Sequence, residues 1–315
     1  MPPEATFKSY TPTQGKTYAQ ARSTYHPNFY KALLAHHTRT GGQTKTLIDV
    51  GCGPGPATRD LAVYFDRAIG FDASPGMIET AKSLGGKSLS GEEIEFCVSG
   101  AEELGRGLKG LVVEDGSVDL ITAATAAHWF DMPRFWERAG RLLKPGGTVA
   151  IWAMNVDGPA DDMPNAEAIR AGMDLIRERE LEAFFEEGNR LVRGLYVGLP
   201  LPWECGGSGE GFEKESFVRR EWGTEGGIDT RVAGNEFLLH GERIMGLDGF
   251  EVAMGTASPV TRWREANPGL VGTEGDVIRL MRRMIERCLR EAGVSEEEMV
   301  VKGKGEGVLL MVKKK

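Results

Sequence analysis

The segment Asp49-Val50-Gly51-Cys52-Gly53-Pro54-Gly55 constrains this chain more than any other. It follows a short apolar run, residues 46–50 (TLIDV), that reads as a buried strand. It precedes residues 58–65, where Leu61, Ala62 and Phe65 share one helical face. Gly51 and Gly53 let the backbone turn sharply because no Cβ stands in the way. A strand, a glycine turn and a helix in that order leave room for a ligand against the loop and the helix N-terminus.

From residue 44 to about 152 the chain alternates short apolar runs with helical patterns, as an open α/β sheet does. After the first strand and helix come a strand at 68–71, a helix at 75–83 and strands at 94–98 and 118–123. A helix at 133–142 is closed by Lys144-Pro145-Gly146-Gly147, and a fifth strand occupies 148–153. This alternation predicts a parallel, doubly wound sheet. Further on, 165–185 reads as one amphipathic helix and 216–222 (SFVRREW) as a strand. Residues 276–292 form a helical pattern with Val277, Met281, Met284, Ile285 and Cys288 on one face, and 307–312 (GVLLMV) is a last strand.

Two late strands returning to the first five give seven. The expected fold class is therefore α/β: a doubly wound, mainly parallel seven-stranded sheet with a helical cap insertion. The expected organisation is one domain over 1–315, with lid helices in 1–40 and a core in 41–154. A cap fills 155–272 and carries the strand near 216–222, and the last helix and strand occupy 273–315.

Composition narrows the partners. A formal net charge of −8 argues against nucleic acid, because phosphate binding needs clustered positive charge. No run approaches the ~18 apolar residues that a membrane span requires. The polar first 18 residues contain no apolar core of an export signal. Cys52, Cys97, Cys205 and Cys288 are too scattered for a metal site or a disulfide framework, so reduced thiols, no metal and a cytoplasmic location are expected.

Two further signals flank the glycine turn. Asp72, in Gly70-Phe71-Asp72-Ala73-Ser74 at the end of the second strand, can accept both ribose hydroxyls of a nucleoside. Met77 can lie against an adenine ring or be an ordinary core methionine. The third strand ends in Ser99-Gly100-Ala101-Glu102. A dinucleotide-binding loop would space its glycines as G-x-G-x-x-G, but here the third arrives early, at Gly55. Asp49 would repel a pyrophosphate yet could pair with an ammonium.

Together with Ala127-His128-Trp129-Phe130-Asp131 and Arg141-Leu142-Leu143-Lys144-Pro145-Gly146-Gly147, these blocks resemble the class I S-adenosylmethionine-dependent methyltransferases, which have a Rossmann-like sheet. They are most similar to the trans-aconitate and ubiquinone-biosynthesis-type small-molecule enzymes. The stretch from Tyr18 to Pro27 resembles the lead-in of that group, so the strong part of the likeness covers about residues 18–153. The resemblance implies S-adenosylmethionine as cofactor. Gly51, Gly53 and Gly55 would frame its methionine and ribose, with Asp72 and Ala73 at the ribose and Met77, Ala101 and Glu102 around adenine. Ala124 and Thr125 would lie beside the methionyl group, and Tyr18 and Arg22 would close over it. Many relatives carry Asp where this chain has Gly100, which leaves adenine to a backbone group or to Glu102.

Methyl transfer from a sulfonium is an in-line displacement that needs alignment and exclusion of water. A carboxylate acceptor, trans-aconitate-like, needs no base. A phenol or amine needs one, and His128 is the candidate, its alternative being a structural histidine packed beside Trp129. An arginine would pair with a carboxylate, and Arg262 is singled out among Arg193, Arg219, Arg220, Arg262 and Arg264. Trp129, Tyr196, Trp203 and Trp263 can wall an apolar pocket or serve as packing residues. A nicotinamide-dependent oxidoreductase and a non-catalytic S-adenosylmethionine-binding module are the rivals. Oligomeric state leaves no mark on the sequence.

Overall fold

In a computed structural model of the chain, residues 6, 10–21, 25–106, 113–224, 226–228 and 243–315 are described, with backbone only at 156, 157, 208 and 243. The elements begin α1 (Pro12–Ala21), α2 (Pro27–Arg39), β1 (Thr46–Val50), α3 (Pro56–Ala62), β2 (Arg67–Asp72), α4 (Pro75–Leu84), β3 (Glu95–Val98) and β4 (Val118–Ala124). They continue α5 (Met132–Leu142), β5 (Leu143–Pro159), α6 (Ala166–Ile176), α7 (Glu187–Arg193), β6 (Phe212–Trp222) and β7 (Arg243–Gly246). The chain ends in α8 (Leu247–Gly255), α9 (Ser258–Ala266), α10 (Val277–Glu291) and β8 (Val300–Lys314). Contacts divide it into two units: unit 1 is Met1–Met154, Leu191–Leu238 and Gly307–Lys315, and unit 2 is Asn155–Arg190 and Leu239–Glu306.

Unit 1 holds the doubly wound sheet, in the order β3-β2-β1-β4-β5-β8-β6. The pairs from β3 to β5 are parallel and β6 runs antiparallel to β8. Alternate residues feed two separate cores: Ile48, Ile69, Ile121 and Val149 pack on one face. Leu47, Ala68, Leu120 and Ala150 pack on the other. Both faces are therefore covered, as a parallel sheet requires. Helix starts follow local chemistry. Ser74 caps α4 by accepting from the Met77 N–H, Asp131 caps α5 through the Arg134 N–H, and Pro75 and Pro133 preset the first turns. Helix α2 brings Phe29 and Tyr30 onto Trp152, with Phe29 and Trp152 ring centres 5.4 Å apart. At its far end the buried His37 joins Thr148 (2.7 Å) and the Gln43 carbonyl (2.8 Å), and Lys313 donates to the same Thr148 hydroxyl.

The stop at Lys144-Pro145-Gly146-Gly147 ends α5 but does not make a free loop. Strand β5 starts at once at Leu143, opposite Val118, and the next partners are Leu120 and Thr148. The extra residues form a bulge in which Gly146 takes φ 76°. The sheet also has eight described strands where seven were expected. Strand β8 is longer than 307–312, and its first residues, in unit 2, offer an edge on which β7 pairs antiparallel, Gly246 opposite Val300.

Unit 2 has its own apolar core. Helix α10 supplies Ile278, Met281, Ile285 and Leu289, α6 supplies Ile169 and Met173, and α8 and α9 add Phe250 and Trp263. Gly172 lets α6 and α10 approach, since a Cβ there would stand 2.5 Å from the Met284 sulfur. The single helix expected over 165–185 is broken: α6 ends at Ile176, a π turn spans Arg177–Leu181, and a 3₁₀ turn follows at Glu182–Phe184. A π turn adds one residue to the helical repeat, which brings Leu181 rather than Glu180 onto the buried side with Ile169 and Met173. The last helix, expected with the core, packs on α6 and α8 within unit 2.

Candidate functional site

Strand β1 pairs with β2 on one side and β4 on the other, so the strand order reverses there. In sheets of this type ligands bind beyond the carboxyl ends of the strands at that reversal. The glycine turn leaves β1 at this point, and Ala124 and Thr125 leave β4 beside it.

The three glycines are glycine for different reasons. All adopt left-handed backbone, Gly51 at φ 65°, Gly53 at 55° and Gly55 at 82°. A Cβ on Gly51 would meet the Ala126 Cβ at 2.5 Å, and one on Gly55 would meet Phe96 at 2.7 Å. A Cβ on Gly53 would touch nothing within 4 Å. Gly51 and Gly55 thus serve packing of the protein on itself, while Gly53 faces open space.

Asp72 closes the turn from the next strand. One carboxylate oxygen accepts the Gly53 N–H at 2.8 Å and the other the Ser74 N–H at 2.8 Å, with Ala73 between. Met77 and Ala101 are buried nearby in sequence to these turns. Glu102 folds back on Gly100: a Cβ there would lie 2.9 Å from its Oε2. Its Oε1 accepts the Asp131 N–H at 3.0 Å. Gly100 is therefore the residue that makes space for the Glu102 carboxylate.

Asp49 is turned inward. It has no exposed surface, and its oxygens accept from the Thr58 hydroxyl at 2.6 Å and the Thr122 hydroxyl at 2.7 Å. Burial pushes its carboxyl up to about 6. Its place in the structure is as a strut joining β1, α3 and β4, not as an exposed partner for an ammonium.

Tyr18 lies half-buried on α1, its ring centre 6.5 Å from that of Tyr10. Helix α1 rests on α4 with Gly76 beneath it, where a Cβ would come 2.1 Å from the Tyr10 carbonyl oxygen. Arg22 lies outside the described residues. Tyr25, which residue pattern alone gave no reason to choose, reaches the end of β4: its hydroxyl is 3.1 Å from the Thr125 hydroxyl. Only its aromatic type hinted at a role, and aromatics are commonly core.

His128 is buried, with its Nδ1 2.8 Å from the Tyr196 hydroxyl and its ring 4.8 Å from that of Trp129. Burial lowers it to about 3, which leaves it neutral and weakly basic near neutral pH. Trp203 stacks edge-on against Phe217 at 5.3 Å, in unit 1. Arg262 and Trp263 belong to unit 2. Arg262 is spent on the Phe184 carbonyl, Asn189 and Glu186, and Trp263 is a buried core residue, so neither presents itself as a pocket lining. Arg264 pairs with Asp276, and Arg219 with Glu221 and the Leu195 carbonyl.

Residues 48–151 match the family described as Methyltransferase domain. Over 138 residues the chain is 38% identical to a Dictyostelium discoideum protein named as a methyltransferase, covering 44% of this chain and 46% of that protein. Over 135 residues it is 29% identical to a Saccharomyces cerevisiae protein named as an S-adenosylmethionine-dependent methyltransferase, covering 43% of each. The likeness to methyltransferases is therefore carried by residues 48–151, the segment that runs from β1 past β4 and holds the glycine turn.

The chain spans less than half the length of those two relatives. A solved structure from Anaeromyxobacter dehalogenans, described as a type II methyltransferase, is similar in fold. It has a TM-score of 0.55 and 21% identity, and covers 93% of this chain and 97% of that one. Among the described residues no helix is long and apolar enough to cross a membrane.

Proposed function

We propose that this protein transfers the methyl group of S-adenosylmethionine to a small-molecule oxygen acid, a carboxylate of the trans-aconitate kind. The observation that carries the reading is the pairing of Gly53, open on its outer side, with Asp72, whose carboxylate is pinned beside it by two backbone N–H groups. A rigid carboxylate at the end of β2 suits vicinal ribose hydroxyls. The apolar Met77 and Ala101 suit an adenine face, and the half-buried Glu102 suits its edge. The site residues fit the cofactor: Gly53, Asp72, Ala73, Met77, Ala101, Glu102, Ala124 and Thr125 would hold it, with Tyr18 over it, and Gly51 and Gly55 shape the turn that frames it. When bound, it supplies an electrophilic methyl on a sulfur that departs with the bonding pair.

The acceptor assignment rests on protonation. A carboxylate is already a nucleophile near neutral pH, whereas a phenol or amine must lose a proton. His128 suits that task poorly, because burial leaves it a weak base and its Nδ1 is engaged by Tyr196. Its role here is to hold the residues after β4 in place. Incubation with methyl-labelled S-adenosylmethionine and a panel of small carboxylic acids, phenols and amines is the test. Label in a base-labile methyl ester supports the reading. Label only in amines or in macromolecules overturns it.

A further inference from the structure

Four described residues other than glycine hold left-handed backbone: Thr125 (φ 52°), Asn165 (53°), Leu195 (47°) and Tyr196 (59°). Such conformations are costly for residues with a Cβ and gather where function demands them. Three of the four bear on one place, the end of β4. Thr125 is the first residue after that strand. Leu195 and Tyr196 form a tight turn that delivers the Tyr196 hydroxyl to His128, three residues further along the same loop.

The strained Thr125 presents its hydroxyl 3.1 Å from that of Tyr25. The Tyr25 ring is held edge-on by Trp152 at 5.5 Å and tilted against Phe29 at 5.8 Å, so its hydroxyl is aimed rather than loose. Both residues are only half-buried, whereas His128 and Tyr196 are buried behind them. Ala126, next in the chain, packs directly on Gly51 of the cofactor turn. The pair of hydroxyls therefore stands beside the cofactor turn at the strand reversal.

We propose that Tyr25 and Thr125 form a hydroxyl clamp that touches and orients the acceptor oxygen, with the His128–Tyr196 pair as positioning residues behind it. This rests on the methyl-transfer reading and deepens it. A hydroxyl donates well to an anionic oxygen, so a pair of them suits a carboxylate acceptor.

The experiment compares wild type with Tyr25→Phe, Thr125→Ser, Thr125→Ala and Tyr196→Phe. Binding of S-adenosylhomocysteine is followed by calorimetry, and transfer to small di- and tricarboxylic acids, trans-aconitate first, and to ethanolamine is followed by label. Tyr25→Phe keeps the ring packing and is expected to raise the acceptor KM about tenfold while moving the S-adenosylhomocysteine Kd less than about twofold. Thr125→Ala is expected to raise the acceptor KM as Tyr25→Phe does and, because Thr125 also borders the cofactor, to weaken S-adenosylhomocysteine binding as well. Thr125→Ser, which keeps the hydroxyl, is expected to lose less acceptor affinity than Thr125→Ala. Tyr196→Phe is expected to lower kcat through loss of positioning. Unchanged acceptor kinetics in Tyr25→Phe, an equal loss of cofactor binding in that variant, or transfer to ethanolamine alone overturns the clamp. Wild-type protein that fails to bind S-adenosylhomocysteine instead overturns the methyl-transfer reading itself.

Discussion

Asp49 lies at the end of β1 with no exposed surface, its two oxygens held by Thr58 and Thr122. Burial raises its carboxyl from 3.8 to about 6 in the folded protein. A folded-state value above the unfolded one means that its contribution to stability is fully present below about pH 4 and is lost as the pH rises through about 6. Relative to low pH, folding stability at neutral pH is therefore lower by on the order of 3 kcal/mol on account of this group. Asp49→Asn removes that titration. Urea unfolding should show the variant gaining on wild type between pH 4 and pH 7, and a stability difference independent of pH would contradict the assignment. The glycines separate in the same way. Gly51→Ala must take φ 65° and push on Ala126, so its loss of stability, read from thermal unfolding, should exceed the roughly 1–2 kcal/mol of left-handed strain alone. Gly53→Ala meets no neighbour, so only the strain should appear in its melting curve while cofactor affinity drops about tenfold or more.

At the scale of elements, the first five strands and the glycine turn could be read because each is tied to a residue pattern with one geometry. A run such as TLIDV is buried on both faces, and Gly51 and Gly53 permit what other residues resist. The π turn after α6 and strand β7 were not legible. Nothing in Arg177–Leu181 breaks a helix, and the turn answers to where Leu181 must be buried. The same limit hid the strained turn of Leu195 and Tyr196, since neither residue type announces left-handed backbone. Trp263 read equally well as pocket wall or core, and only packing shows it buried. Helix α1 offers a direct test of an element. Its docking on α4 depends on Gly76, and Thr80 donates to the Pro12 carbonyl across the contact. Gly76→Ala should loosen α1, seen as faster hydrogen exchange over residues 12–21 with the sheet protected as before. Unaltered exchange there would contradict the role given to Gly76.

For the molecule as a whole, two units with separate cores share one chain. Unit 2 depends on Asp276, which is buried, caps α10 through the Ile278 N–H, accepts the Gly272 N–H and takes a two-point bond from Arg264. Asp276→Ala strands a guanidinium and uncaps a helix, a loss of roughly 3–5 kcal/mol that calorimetric melting should register. Unit 1 carries the segment similar to a methyltransferase domain, and the account turns on what its glycine turn holds. The most direct measurement is calorimetric titration of the purified protein with S-adenosylhomocysteine beside NAD. Binding of the first, weakened in Gly53→Ala, with no heat from the second is the expected result. Binding of NAD, or no binding of S-adenosylhomocysteine, would contradict the account.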